Sequence, residues 1–404
     1  MPFRQERQKI FDFMKRYYLI LAAAFAATAL SCTNIDRAIE NDIEVAKVQL
    51  ADLVKASTVE NDYLIPSSYI DGEIVFVPED DWVSGFFAGS LWYMYELTGD
   101  EKWAEDAVHF TEKLDTIQYL KWHHDIGFMI NDSYGNGYRL KNIEPYRQVL
   151  INAAQSLATR FRPVAGIIQS WNVVNNGWQS ERGWECPVII DNMMNLDLFF
   201  DVTEMTGDST YFNLAVSHAD KTLENHFRED NSCFHVVDYS LTDGSVRRRC
   251  TAQGAADDSS WARGQAWAIY GYTNAYMNTG YQRYLDHAKN VAAFILNHPN
   301  LPEDMVPYWD FDRPGEYRDV SSAAIIASAL YRLYSITGDK SYFDAADKMI
   351  LSLSKAPYLA EPGTNGGFLL KHSVGSIPHG SYIDVPLNYA DYYFLEALIR
   401  RKNL

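Results

Sequence analysis

The chain has 404 residues, 47% of them hydrophobic and 22% charged, with a formal net charge of −18. Such an acidic balance excludes a general nucleic-acid binder or electrostatic docking on anionic lipid, because both need a basic face. It also means that any anionic ligand must find locally placed Arg or Lys.

Residues 14–32, MKRYYLILAAAFAATALSC, have a basic start, an apolar run too short for a comfortable membrane span, and small residues before Cys32. This pattern predicts a leader covering residues 1–31, with Met14 the better start. The ending ALSC resembles a bacterial lipobox, although Ala29 stands where Leu is usual. It predicts a lipid on Cys32 and a periplasmic or outer-membrane protein that meets the membrane only through that anchor. Without a break in composition or a linker further on, residues 32–404 are expected to form one large domain.

Along this body a short pattern recurs. Thr98-Gly99-Asp100 is followed by Trp103 and Ala107; Thr206-Gly207-Asp208 by Tyr211 and Ala215; Thr279-Gly280-Tyr281 by Tyr284 and Ala288; and Thr337-Gly338-Asp339 by Tyr342 and Ala346. Each copy reads as a helical hairpin. Gly ends one helix in the left-handed conformation, Asp caps the next, and the aromatic and Ala pack the second helix on the first. A unit of roughly 55–60 residues, with one degenerate copy in the first gap, gives about six hairpins. Segments 63–81, 121–145, 228–258 and 360–386 read as loops at one rim. Six hairpins can close into an all-α toroid, the (α/α)6 barrel, or stack as an open solenoid. Alternating strongly apolar helices, such as PVIIDNMMNLDLFF (187–200) and SSAAIIASALYRLY (321–334), favour closure.

Candidate chemistry sits on a few stretches. Trp82 and Phe86 open the first hairpin, and aromatic faces suit sugar rings. Asp125, in HHDIGFM, is expected on a loop or at a helix end, where capping is its commonest task. Asp191 lies on an apolar helical stripe with Pro187 in the first turn, so its carboxylate is costly unless it is paired, protonated or wet. Asp258 and Ser259 are candidate caps for the helix bearing Arg263 and Trp267. Arg263 is expected to stack on Trp267 and keep its guanidinium fork free for a carboxylate. Each feature alone has an equally ordinary structural reading; together they suggest acid–base chemistry on an acidic saccharide. Cys186, Cys233 and Cys250 lack metal-ligand spacing, so neither a metal nor a cofactor is expected, and one disulfide is open to an oxidising compartment.

The motifs DDWVSGFFAG, HHDIGFM, PVIIDNMMNLDL, CFHVVDYS, SSWARGQAWAIYGY and GSYIDVPLNYADYYFLEAL occur in order from about Trp82 to Tyr393. In this the chain resembles the unsaturated glucuronyl hydrolases of glycoside hydrolase family 88. The resemblance implies an (α/α)6 barrel. It implies Asp191 as general acid/base, Asp125 as the second essential carboxylate, and Trp82, His235, Arg263 and Trp267 as substrate contacts. Ser373 and Ser376 match a sulfate-binding segment, except that Pro378 stands where that segment carries Lys. The implied substrate is an oligosaccharide with a 4,5-unsaturated uronic acid at its non-reducing end. Family 105, acting on unsaturated rhamnogalacturonan fragments, and a non-catalytic glycan-binding lipoprotein are the alternatives.

Overall fold

The computed structural model describes residues 34–59 and 62–404. The expected leader and Cys32 lie outside them. Among the described residues, six helical segments pack side to side in a closed ring: Ser84–Thr98, Ile126–Lys141, Ile190–Thr206, Ala262–Thr279, Val320–Thr337 and Asn388–Lys402, the last touching the first. They are buried almost all round; every residue from Asn388 to Ile399 is covered. A second layer surrounds them, made of a helix over 34–57 and of Glu101–Glu112, Glu144–Ala158, Ser209–Asn225, Gln282–Asn297 and Lys340–Leu353. These outer helices bury one stripe only, as Tyr284, Leu285, Ala288, Val291, Ala292 and Ile295 show on one of them. The architecture is the expected (α/α)6 barrel. Because a tight turn follows each of the first five inner helices and a long connection precedes the next, all inner helices run in the same direction.

The turns explain the recurring Thr-Gly-Asp. Gly99, Gly207, Gly280 and Gly338 have φ between 67° and 74° and close their helices by donating to the carbonyl four residues back. Asp100, Asp208 and Asp339 then cap the outer helices through the backbone N–H two residues on. Thr has a part the sequence left unexplained. Each Thr hydroxyl donates to the carbonyl four residues back, and its oxygen accepts the N–H two residues on, as Thr98 does with Met94 and Asp100. The degenerate fifth copy is at Asn142, which takes the left-handed conformation at φ 49°, followed by Tyr146 and Leu150 at the aromatic and Ala positions. Asn tolerates that conformation better than other residues with a side chain, so the turn survives without Gly.

Three expectations need correction. Segment 121–145 is not a rim loop, since most of it is the second inner helix with a π-helical turn at Asn131–Gly135. Pro187 does not open a helix. Cys186–Ile189 is a strand, paired antiparallel with Val236–Tyr239, which in turn pairs with Val246–Cys250. A run of Val and Ile bounded by Pro suits either element, and pairing with the partner strand decides it. The segment 360–386 contains the hairpin Ser373–Ser376 and Ser381–Val385. Cys186, Cys233 and Cys250 are buried free thiols, pushed up by burial to about 12, 12 and 11, so they are unreactive.

Candidate active site

The N-terminal ends of the inner helices converge on one face, and the sequence-predicted residues are gathered there. Asp125 directly precedes Ile126–Ile130, in the capping position, yet its carboxylate caps nothing. The N–H of Phe128, which a cap would satisfy, donates instead to Asn195 Oδ1 at 2.8 Å. Asn195 comes from the IIDNMMN stretch, and so ties the two acidic motifs together. Gly127 makes that approach possible: a Cβ there would lie 2.6 Å from both Cα and Cβ of Asn195. The tightness of this glycine is therefore between helices rather than within a turn.

Released from capping, the Asp125 carboxylate faces two histidines. His124 Nε2 lies 3.2 Å from Oδ1 and His123 Nδ1 3.3 Å from Oδ2. His123 also has backbone partners. Its Nδ1 accepts the N–H of Asp125 at 3.2 Å, while its Nε2 donates to the carbonyl of Asp80 at 3.3 Å. His124 is fully buried, and burial depresses it to about 4. Asn195 Nδ2 lies 3.5 Å from its Nδ1, which leaves the Nε2 proton facing Asp125. Burial opposes the charge on Asp125, but its neighbours, His124 foremost, outweigh it and hold the carboxyl below its usual range. Asp125 is an anion.

Asp191 is the opposite case. It sits in the 3-10 turn Ile190–Asn195 that leads into Leu196–Thr206, is 7% exposed, and its Oδ2 has no hydrogen-bond partner. Burial pushes its carboxyl up to about 7; Arg263 pulls it down, Asp125 pushes it further up, and the indole of Trp267 favours the anion slightly. His235 Nε2 lies 3.8 Å from Oδ2. Its Nδ1 accepts the N–H groups of Ala252 and Gln253 at 3.0 and 3.1 Å, so Nε2 carries the proton, and burial keeps the ring neutral. Two carboxyl groups of the same chemistry are thus driven apart by their surroundings, one anionic and one able to hold a proton near neutrality.

Beside them opens a cavity of about 190 Å3, lined by Asp81, Trp82, Gln253, Arg263, Ser376, His379 and Tyr389 among others. Asp125 and Asp191 are not among the lining residues, but the charge of Asp81 acts on Asp125 and those of Arg263 and Tyr389 act on Asp191, so both carboxylates are within electrostatic reach of the wall. Trp82 lines this cavity, whereas Phe86 is core. Ser376 also lines it, its hydroxyl 2.7 Å from His379 Nδ1. Ser373 is fully buried and is not among the lining residues. His379 and Gln253 carried no signal within their own stretch of sequence.

Arg263 differs from expectation. Its fork is occupied: one Nη donates to the carbonyl of Val374, the other to Gly375 O and Gln253 Oε1, each at 2.7 Å, and Asp319 lies 3.6 Å away. It stacks over Trp261 and Tyr389 rather than Trp267, which is buried against Phe128 and Tyr393. The expected caps fail too, since Ala262–Thr279 has no side-chain cap and Ser259 bonds Asp310 instead. Arg263 therefore ties the 373–376 strand to the barrel and sets the charge near Asp191. Arg263→Ala is expected to lower stability by about 3 kcal/mol or more, measured by denaturant unfolding, because several buried acceptors lose their partner.

Comparison with known proteins identifies the family. The family model Glycosyl Hydrolase Family 88 matches residues 65–395. The chain is 44% identical over 332 residues to an unsaturated glucuronyl hydrolase of Formosa agariphila, covering 81% of this chain and 82% of that protein. It is 31% identical over 352 residues to an unsaturated chondroitin disaccharide hydrolase of Streptococcus pneumoniae, covering 84% and 86%. Among solved structures, an unsaturated glucuronyl hydrolase specific for heparin superposes with a TM-score of 0.87 at 44% identity, over 91% of this chain and 98% of that one. The chain belongs to glycoside hydrolase family 88.

Proposed function

We propose that the protein is a hydrolase that removes the 4,5-unsaturated uronic acid from the non-reducing end of glycosaminoglycan-type oligosaccharides released by a lyase. One observation carries the chemistry: a proton-holding Asp191 beside an anionic Asp125, both at the N-terminal ends of parallel helices and within electrostatic reach of a cavity wall. The unsaturated ring is a vinyl ether. Asp191 gives its proton to C4, and positive charge develops at C5 and the ring oxygen. Water adds at C5 and returns a proton to the Asp191 carboxylate. The resulting hemiketal opens and expels the remaining sugar. The anionic Asp125 stabilises the developing positive charge, and His235 Nε2–H steadies Asp191 once it is ionised. The substrate carboxylate meets the positive ends of the helix dipoles and the Arg263 charge, so a free arginine fork is not required. Trp82 supplies an apolar face.

The test is a panel of lyase-generated unsaturated disaccharides from hyaluronan, chondroitin, heparin and pectin, following loss of the unsaturated-uronate absorbance. Turnover of a glycosaminoglycan product is expected; turnover of the pectin product alone would favour the family 105 reaction, and none would favour glycan binding without cleavage. The reaction in D2O should place deuterium at C4. We also propose that Cys32 is lipidated, as its leader-like preceding stretch suggests. Cys32→Ser should release the protein from the membrane fraction, and an unmodified N-terminus elsewhere would argue against an anchor.

A further inference from the structure

Outside the residues the mechanism uses, the rim segment 171–185 builds an aromatic platform. Trp171 and Trp178 have ring centroids 5.1 Å apart, Trp178 and Trp184 5.5 Å, and Trp171 and Trp184 stack at 5.8 Å. The platform is continuous with the site at two points. Trp171 meets His235 edge-on at 6.1 Å, and Trp178 meets His379, on the cavity wall, at 5.7 Å. Trp184 is buried, but Trp178 is 40% exposed. The exposed Arg182 has its guanidinium 5.9 Å from the Trp178 ring and 5.4 Å from that of Trp184, anchored by one bond to the carbonyl of Thr251 at 2.7 Å. On a chain of net charge −18, a fixed cation beside an exposed indole at a cavity mouth is a specific combination.

We propose that Trp178 and Arg182 form an outer subsite for a sugar beyond the one expelled, so that the protein prefers acidic oligosaccharides longer than a disaccharide. The indole gives a flat apolar surface for the sugar's C–H face, and the guanidinium pairs with its carboxylate or sulfate. In this arrangement the unsaturated ring lies beside Asp191, the second sugar fills the cavity and the third meets Trp178. This inference rests on the substrate reading above.

The experiment compares kcat/KM for unsaturated di- and tetrasaccharides prepared by lyase from heparin and from chondroitin, in the wild-type protein and in Trp178→Ala, Trp178→Phe and Arg182→Ala. Wild type should favour the tetrasaccharide. Trp178→Ala should cut the tetra-to-disaccharide ratio by roughly 3–10-fold through KM, the scale of one aromatic contact. Trp178→Phe should restore most of it, and Arg182→Ala should lower it too, with melting temperatures unchanged. A ratio equal in wild type and Trp178→Ala would overturn the subsite while leaving the proposed reaction intact. No turnover of either length by the wild type would overturn both.

Discussion

Asp191→Asn should fold, bind substrate and lose at least about 10²–10⁴-fold in kcat, the usual contribution of general acid–base catalysis. Asn matches the volume but has no carboxylic proton to give. The same substitution should stabilise the protein at high pH. The carboxyl of Asp191 is raised to about 7 in the folded chain against an ordinary value of 3.8, so between those values the folded state binds more protons than the unfolded one. That contribution is fully present below about pH 4 and is lost as pH rises through about 7. His124 and His226, depressed by burial to about 4, work the other way between about pH 4 and 6.5, so the comparison with wild type is the informative quantity. At pH 8 Asp191→Asn should be more stable by about 2–4 kcal/mol, and the gain should vanish near pH 4. Activity of the wild type should fall as pH rises above about 7. A variant that kept near-normal turnover, or gained no stability at pH 8, would remove Asp191 from the role of buried acid.

Gly127→Ala should have the second-largest effect, although it adds only a methyl group. That methyl meets the backbone and side chain of Asn195, so the second and third inner helices must separate. Overpacking of this kind costs about 1–3 kcal/mol. The functional loss should be greater than that figure suggests. Once Asn195 withdraws, the Phe128 N–H is left for Asp125 to cap, and the carboxylate turns from the site into the helix end. A displacement of about 1 Å in a reacting group can cost 10²-fold, which is the expected fall in kcat. Asn195→Ala should reproduce much of that fall without the overpacking. If Gly127→Ala lost stability but kept kcat, Asp125 would not depend on this contact.

The ring was readable because each turn is written in adjacent residues: Thr, Gly and Asp act within four positions of one another. Two inner helices, Ile190–Thr206 and Val320–Thr337, were readable because they bury apolar residues on most of their faces. What escaped was non-local. Two acceptors of Arg263, the carbonyls of Val374 and Gly375, lie more than a hundred residues away in sequence, so the stretch around Arg263 does not show that its fork is filled. The second inner helix was hidden by Gly127, Gly135 and Gly137, which look like loop residues until the neighbours crowding them are seen. Asp125 looked like a cap and occupies a cap position; only Asn195, 67 residues downstream of Phe128, reveals that it is spared that work. The rim tryptophans gave no signal as a group, because nothing in the sequence between Trp171 and Trp184 shows that they meet.

Parallel inner helices divide the barrel into two ends with different obligations. At one end are the five short turns at Gly99, Asn142, Gly207, Gly280 and Gly338, and a side chain added at any of the four glycines would touch nothing. At the other are the long connections that carry the cavity wall, the 373–385 hairpin and the tryptophan platform. The scaffold can therefore be tuned for durability at one end and for diet at the other. A lineage that meets a new polysaccharide can rewrite the long connections, lengthening or re-charging them, while the ring that holds Asp125 and Asp191 in place passes to its descendants unaltered.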